Sequence, residues 1–288
     1  MGQRDFLLWL MLVPGLTIKG RYRMWQYMYQ NNLASIPIKM ILKLSQLSHN
    51  KQQIIFKWYH QRNWQLEFQR LKNYHFITIC DEKYPKYLLM CIDAPICLFY
   101  RGDLDLLSQP LIAIVGARKA TDYGKKILRA WVPYLVKSGL TTVSGLALGI
   151  DELTHRATLA VGGKTIGIIG TGLDCVYPNR TDCLQEQVAI NGLLISEYLP
   201  WQKPKRKYFP ERNRIIAGLS HVCLIIEAQK RSGSLITAMI ALEQNRIVMA
   251  VPGRIDTPNS KGTNELILAG ATPVLVPQQI VLEFENFY

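Results

Sequence analysis

From residue 111 onward, short apolar runs alternate with longer stretches of helical periodicity. This alternation constrains the fold more than any other feature of the chain. Runs at 112–115, 141–143, 165–169, 193–196, 222–226, 247–251 and 274–276 have the length and composition of strands. Helical patterns fall between them, at 122–137, 149–160, 181–190, 211–219, 235–244 and 265–269. The run at 222–226 is apolar at consecutive positions, as expected of a strand covered on both faces. Repeated βα units predict a doubly wound parallel sheet, a Rossmann-like α/β domain over residues 111–288.

In such sheets ligands bind beyond the carboxyl ends of the strands. Here those ends are rich in small residues: Gly116-Ala117-Arg118, Ser144-Gly145, Gly170-Thr171-Gly172, Ser196-Glu197, Glu227-Ala228 and Pro252-Gly253. Small residues let backbone N–H groups approach phosphates, and Arg118 is placed to neutralise one. Six loops of this kind at one edge point to a nucleotide or another polyanion. Ser232 or Ser234 is expected to cap the helix that starts near 235, whose free N–H groups form an anion site. Between residues 201 and 214, Lys203, Lys205, Arg206, Lys207, Arg212 and Arg214 stand against Glu211 alone, with Phe209 among them as a surface for a base.

Residues 1–72 contain only helical segments, interrupted at Pro14-Gly15 and Pro37, and suit a small all-helical domain. The turn at 12–17, Leu-Val-Pro-Gly-Leu-Thr, resembles that of helix–hairpin–helix modules, although a plain bundle turn fits as well. Residues 73–110 form a connector expected to pack on the next domain, with strand candidates at 76–80 and 96–100. The net charge is +13, and residues 1–75 hold 11 Lys/Arg against 2 Asp/Glu. That balance favours a polyanionic partner, nucleic acid before an anionic membrane surface. No stretch reaches the ~18–20 apolar residues needed to span a bilayer, and the run at 6–13 lacks a cleavage signal. The six cysteines show neither CxxC nor metal-like spacing and read as reduced thiols, which predicts a cytoplasmic protein with no membrane insertion.

Catalytic signatures are missing. GARKATDYG (116–124) follows the first strand where a dinucleotide site needs G-x-G-x-x-G. Gly162-Gly163-Lys164-Thr165 resembles the end of a P-loop but precedes a strand. Ser144, Asp151 and His155 have triad chemistry without a nucleophile elbow. Glu227, just after its strand, is either a general base or a buried hydrogen-bonded carboxylate.

The blocks VGARKATDYG (115–124), SGLALGID (144–151), GTGLDCVYP (170–178), SEY (196–198), FPERNRIIAGLS (209–220), EAQKRSGSLITA (227–238), AVPG (250–253) and KGTNELILAGA (261–271) occur in this order. Together with the connector phrase at 84–104 they resemble the DNA-processing protein A family (DprA/Smf). The resemblance implies a Rossmann-like domain that binds single-stranded DNA, works as a homodimer, protects incoming DNA in natural transformation and loads the recombinase RecA. It also implies a SAM-like module at the N-terminal helices, although no sharp pattern matches there. It implies no cofactor and no bond chemistry.

By position the resemblance assigns DNA contacts to Gly116, Ala117 and Arg118, to Phe209, Arg212, Asn213 and Arg214, and to Ser232, Gly233 and Ser234. Lys164 and Arg180 are added as nearby cations. The first block has GAR where GSR is common, so one hydroxyl is missing. The C-terminal winged-helix module of some members is expected to be absent. The alternatives are a nucleotide-processing Rossmann enzyme, such as a nucleotide phosphoribohydrolase using Glu227, and a scaffold whose basic helices contact membrane or protein. Against the first, VPGRIDTPNSKGTN (251–264) lacks the PGGxGT-like signature of that enzyme class.

Overall fold

The computed structural model describes residues 1–61, 63–178 and 183–285. Strand β3 (Leu111–Val115) shows why the apolar runs are continuous. Leu111, Ala113 and Val115 enter one core, and Ile112 and Ile114 enter the other. Alternate side chains leave a strand on opposite faces, and here both faces are covered. The same division holds in β7 (Val222–Ile225), where Val222 and Leu224 oppose Cys223 and Ile225.

Helices α1 (Gln3–Leu10), α2 (Ile18–Gln30), α3 (Ile38–Ser45), α4 (His49–Gln61) and α5 (Trp64–Lys72) come first. Then follow β1 (Phe76–Thr78), α6 (Lys86–Leu89) and β2 (Cys97–Gly102). After β3 the chain forms α7 (Asp122–Lys137), β4 (Thr141–Ser144), α8 (Ile150–Ala160), β5 (Thr165–Ile169), α9 (Leu184–Asn191) and β6 (Leu193–Ser196). It continues through α10 (Tyr208–Leu219), β7, α11 (Gly233–Glu243), β8 (Ile247–Ala250), α12 (Pro258–Leu268), β9 (Thr272–Pro273) and α13 (Gln278–Glu285).

The strands form one sheet in the order β1-β2-β6-β5-β4-β3-β7-β8-β9. From β3 the chain winds outward to β6, then crosses back to β7 on the other side of β3. The order therefore reverses beside β3, and a crevice opens there at the carboxyl edge. Side chains of α9, α10 and α11 join one core, while those of α7, α8 and α13 join the other. This is the Rossmann-like, doubly wound α/β fold expected from the sequence.

The sheet is mixed rather than wholly parallel. The connector does more than lie against the domain: β2 pairs antiparallel with β6, and β1 antiparallel with β2. The hydrogen-bonding edge of β6 is thereby covered, as an edge strand requires. The helical part that follows Pro37 is three helices, α3, α4 and α5. The last predicted strand is the two-residue β9, which ends just before the predicted run. Its neighbour Val274 is buried in the α7/α8 core and its N–H still donates to the Ala250 carbonyl of β8 at 3.0 Å, while Leu275 and Val276 are exposed.

The N-terminal helices share the first core with the sheet. Phe6 through Leu10 are all buried, so the second half of α1 is enclosed on every side. Arg4 pairs with Asp81 at 2.9 Å and donates to the Phe76 carbonyl, fixing α1 to β1. Tyr74 donates to Asp174 at 2.7 Å, and Arg70 lies 4.7 Å over the Trp201 ring. Residues 1–72 thus rest against the segment that leads into α10. Among the described residues no helix is long and apolar enough to cross a membrane.

Candidate nucleic-acid interface

Two clefts meet at the carboxyl edge of the sheet. One, of about 510 Å³, lies at the switch point between the loop after β3 and the start of α11. The other, of about 450 Å³, runs over the loops after β4 and β5. Arg118, Ala147, Phe209, Pro210 and Arg212 border both, so the two clefts are lobes of one groove. Three of the six small-residue loops line it, those after β3, β4 and β5, and the chain after β7 reaches it through Gln229. The loop after β6 turns toward the N-terminal helices, and the loop after β8 is held by Tyr123, which donates to the Pro252 carbonyl at 2.6 Å.

Backbone staples hold the lining loops. Ile150 N donates to the Ala117 carbonyl at 3.1 Å, joining the loop after β3 to the first turn of α8. Gly149 has φ +85°, and a Cβ there would lie 2.3 Å from the same carbonyl, so the two loops meet only through glycine. Asp151 is buried and accepts from Gly145 N at 3.2 Å, with Gly116 and Ala147 N–H groups also facing it. Burial pushes its pKa up to about 6, against the pull of Arg212 and those N–H groups. Glu227 accepts from Thr121 N at 2.9 Å and from its hydroxyl at 2.5 Å. It is therefore a buried carboxylate that anchors the start of α7, and it does not line either lobe.

The triad chemistry of Ser144, Asp151 and His155 dissolves in the same way. Ser144 donates to the Ile114 carbonyl at 2.6 Å, and His155 Nδ1 meets Thr165 Oγ1 at 2.7 Å. Burial pushes the His155 pKa down to about 3, so the ring is neutral.

The residues singled out from the sequence divide sharply. Gly116, Ala117 and Arg118 line the groove, and exposed Arg118 has no carboxylate partner among the described residues. Phe209 stands half-buried on the wall shared by the lobes, its ring 5.2 Å from that of Tyr177 and tilted by 42°. Asn213 also lines the first lobe and donates to the Gly233 carbonyl at 3.3 Å. Ser232, Gly233 and Ser234 form the rim at the N-terminus of α11. The expected serine cap is not made: the two hydroxyls lie 2.9 Å apart and bond each other. The N-terminus of α11 thus sits at the rim of the first lobe, where the Gly233 and Ser234 N–H groups have no partner within the helix, while Leu235 N donates to the Ser232 carbonyl at 3.2 Å.

The other cations behave differently. Arg212 is buried and donates to the carbonyls of Gly145 and Ile168, so it ties the β4 and β5 loops together rather than reaching outward. Burial lowers its pKa to about 10, and the facing Asp151 opposes that shift. Arg214 lies two residues, or about 200° of helix rotation, further on. It is only 13% exposed and pairs with buried Glu197 at 2.5 Å, away from both lobes. Lys164 precedes β5 and so sits at the opposite end of the sheet, where it donates to the Asn191 carbonyl at 3.1 Å. Arg180 lies outside the described residues.

Tyr177 and Arg206 were not assigned from the sequence. Both line the second lobe, and Tyr177 widens the aromatic surface begun by Phe209. The signal for Tyr177 lay in the GTGLDCVYP block, whose aromatic had no evident partner until the fold brought β5 and α10 together.

The groove's makeup agrees with what the chain is similar to. It is 45% identical over 219 residues to the DNA processing protein DprA of Streptococcus pneumoniae, covering 76% of each. The solved structure of DNA processing protein A from that organism matches with TM-score 0.90 at 36% identity over 97% of both chains. A Helicobacter pylori DNA processing protein A, described for its single-stranded DNA binding mode, matches with TM-score 0.67 at 32% identity, over 75% of this chain and 98% of that one. Protein Smf of Synechocystis is 44% identical over 220 residues, and the match spans 55% of its length. The family model for DNA recombination-mediator protein A matches residues 75–285, the greater part of the sequence, and the chain belongs to that family.

Proposed function

We propose that the protein binds single-stranded DNA in the two-lobed groove, protects incoming DNA in natural transformation and delivers it to RecA recombinase. In this reading it is a homodimer that acts in the cytoplasm and performs no bond chemistry. Residues 111–288 carry the groove, residues 73–110 brace it, and residues 1–72 form the helical unit.

One observation carries the reading: Phe209 shares the wall common to both lobes with Arg118, which is exposed and has no carboxylate partner among the described residues, and the N-terminus of α11 lines the first of those lobes. A base can stack on the ring while neighbouring phosphates meet the guanidinium and the N–H groups. Stacking of this kind contributes ~1–3 kcal/mol per base without reading sequence. A duplex presents no base face to the ring, so unpaired strands are preferred. The nucleotide-hydrolase alternative is disfavoured because Glu227 is committed to Thr121 and faces neither lobe. The homodimer has a surface to bury in the exposed Ile236, Met239 and Leu242, which recur at helical spacing along α11.

The decisive experiment is a competition gel shift of single-stranded against double-stranded oligonucleotides, with a mononucleotide as second competitor. Retention on the single strand, undisturbed by mononucleotide or duplex, is the expected result. Preference for duplex, or displacement by mononucleotide at low concentration, would overturn the reading.

A further inference from the structure

We infer that a second groove, between the α1–α2 turn and the first turn of α10, holds phosphates of the single strand as it leaves the switch-point cleft. This rests on the single-strand reading above and extends it to the helical residues 1–72. The groove has a volume of about 560 Å³, with one wall from the α1–α2 turn and the start of α2 and the other from the segment joining β6 to α10.

The first turn of α10 is the partition between the two sites. Phe209 and Pro210 face the switch-point cleft, while Tyr208 and Glu211 face the N-terminal groove. The cationic segment before the helix is split in a similar manner: Arg206 lines the neighbouring lobe over the β4 and β5 loops, and Lys205 and Lys207 line the groove. A helix with its side chains is only ~10–12 Å across, so a strand crossing this turn passes directly from one site to the other.

The groove is built for anions. Tyr198 and Tyr208 stack at 4.1 Å as its floor, and the ammonium groups of Lys205 and Lys207 each lie 5.6 Å from the Tyr208 ring centre. Lys19 is exposed on the opposite wall, in the first turn of α2. Among the described residues none of these three lysines has a carboxylate partner. The carboxylates that do face the groove are engaged: Glu197 pairs with Arg214, and Glu211 accepts from the Tyr198 hydroxyl at 3.1 Å. Lys19, Lys205 and Lys207 outnumber Glu211, the groove carboxylate that no cation pairs among the described residues, and a polyanion relieves the repulsion that remains. The tyrosine rings are buried and leave no open face for a base, so the groove suits the sugar–phosphate backbone rather than the bases.

The test uses the full chain carrying Lys19→Gln, Lys205→Gln and Lys207→Gln together. Binding is followed by fluorescence anisotropy with oligo(dT) of ~6 and ~20 nucleotides, lengths that bracket common single-strand site sizes. For the long oligomer, the slope of log K against log salt should fall by ~2, at ~0.7 per neutralised phosphate. A fourfold rise in salt should then cost the parent roughly twenty times more affinity than the variant. The short oligomer, held in the cleft, should bind both proteins alike, which also shows that the variant is folded. An unchanged slope with the long oligomer overturns the inference and leaves the cleft reading standing. Equal losses at both lengths overturn it too, since the lysines would then act only as a diffuse field. Failure of the parent to bind either length removes the cleft reading and this inference with it.

Discussion

Replacing Phe209 by alanine isolates the stacking contribution from the electrostatic one. The ring is half-buried, so its loss should cost less stability than the ~3–5 kcal/mol of a fully buried phenylalanine. Its defined aromatic contact is Tyr177 at 5.2 Å, the kind of pair that contributes ~0.5–1.5 kcal/mol. The protein should therefore remain folded. Loss of one stacked base should weaken single-strand binding by ~1–3 kcal/mol, or about five- to 150-fold. Because no charge is removed, the salt slope should stay that of the parent. Fluorescence anisotropy with oligo(dT) across a salt series measures both quantities. Phe209→Trp should restore affinity, and Phe209→Leu, apolar but with no ring face, should not. Unchanged affinity in Phe209→Ala would refute the stacking argument. A reduced slope would show that the ring acts by shaping a cationic site rather than by contacting a base.

Two further predictions separate structural from ligand-contacting charges. Arg214→Ala leaves Glu197, 4% exposed, without its partner and should destabilise the fold by ~3–5 kcal/mol in chemical denaturation, with the salt slope of DNA binding unchanged. A reduced slope at preserved stability would instead return Arg214 to the interface. For His155, with a folded pKa near 3 and an unfolded value near 6.5, the stabilising contribution is complete above pH 6.5 and lost as pH falls toward 3. At pH 5 that loss is ~2 kcal/mol. Asp151 acts in the opposite sense, since its raised pKa makes protonation below about 6 favour the folded state, which partly masks the loss. Between pH 7 and pH 5, His155→Gln should accordingly lose ~2 kcal/mol less stability than the parent in urea titrations. Parallel losses in the two proteins would contradict the buried neutral ring.

Much of this protein can be derived from residue order alone. Apolar runs without alternation dictate strands covered on both faces, and the helical stretches between them dictate parallel winding. That combination places the ends of β3, β4, β5 and β7 at one edge. It marks Arg118, Phe209 and the Ser232–Ser234 rim in advance, because each lies within three residues of a strand end or helix start. The rotation of α10 about its axis is beyond such reasoning. Arg212 and Arg214 look equivalent in a cationic run, but packing of Ile215 and Ile216 into the core turns one toward the Gly145 and Ile168 carbonyls and the other toward Glu197.

Long-range partners are equally hidden. Thr121 and Glu227 are 106 positions apart, and only closure of the sheet brings them together. The connector's strands could be recognised locally, but their place beside β6 depended on which sheet edge was left open. Lys164 resembled a binding cation in composition, and only strand direction put it at the far end. Local sequence pattern thus determined which elements form and which of their ends carry chemistry. Tertiary packing decided where each charged side chain points, because burial and pairing act between residues that the chain itself keeps far apart.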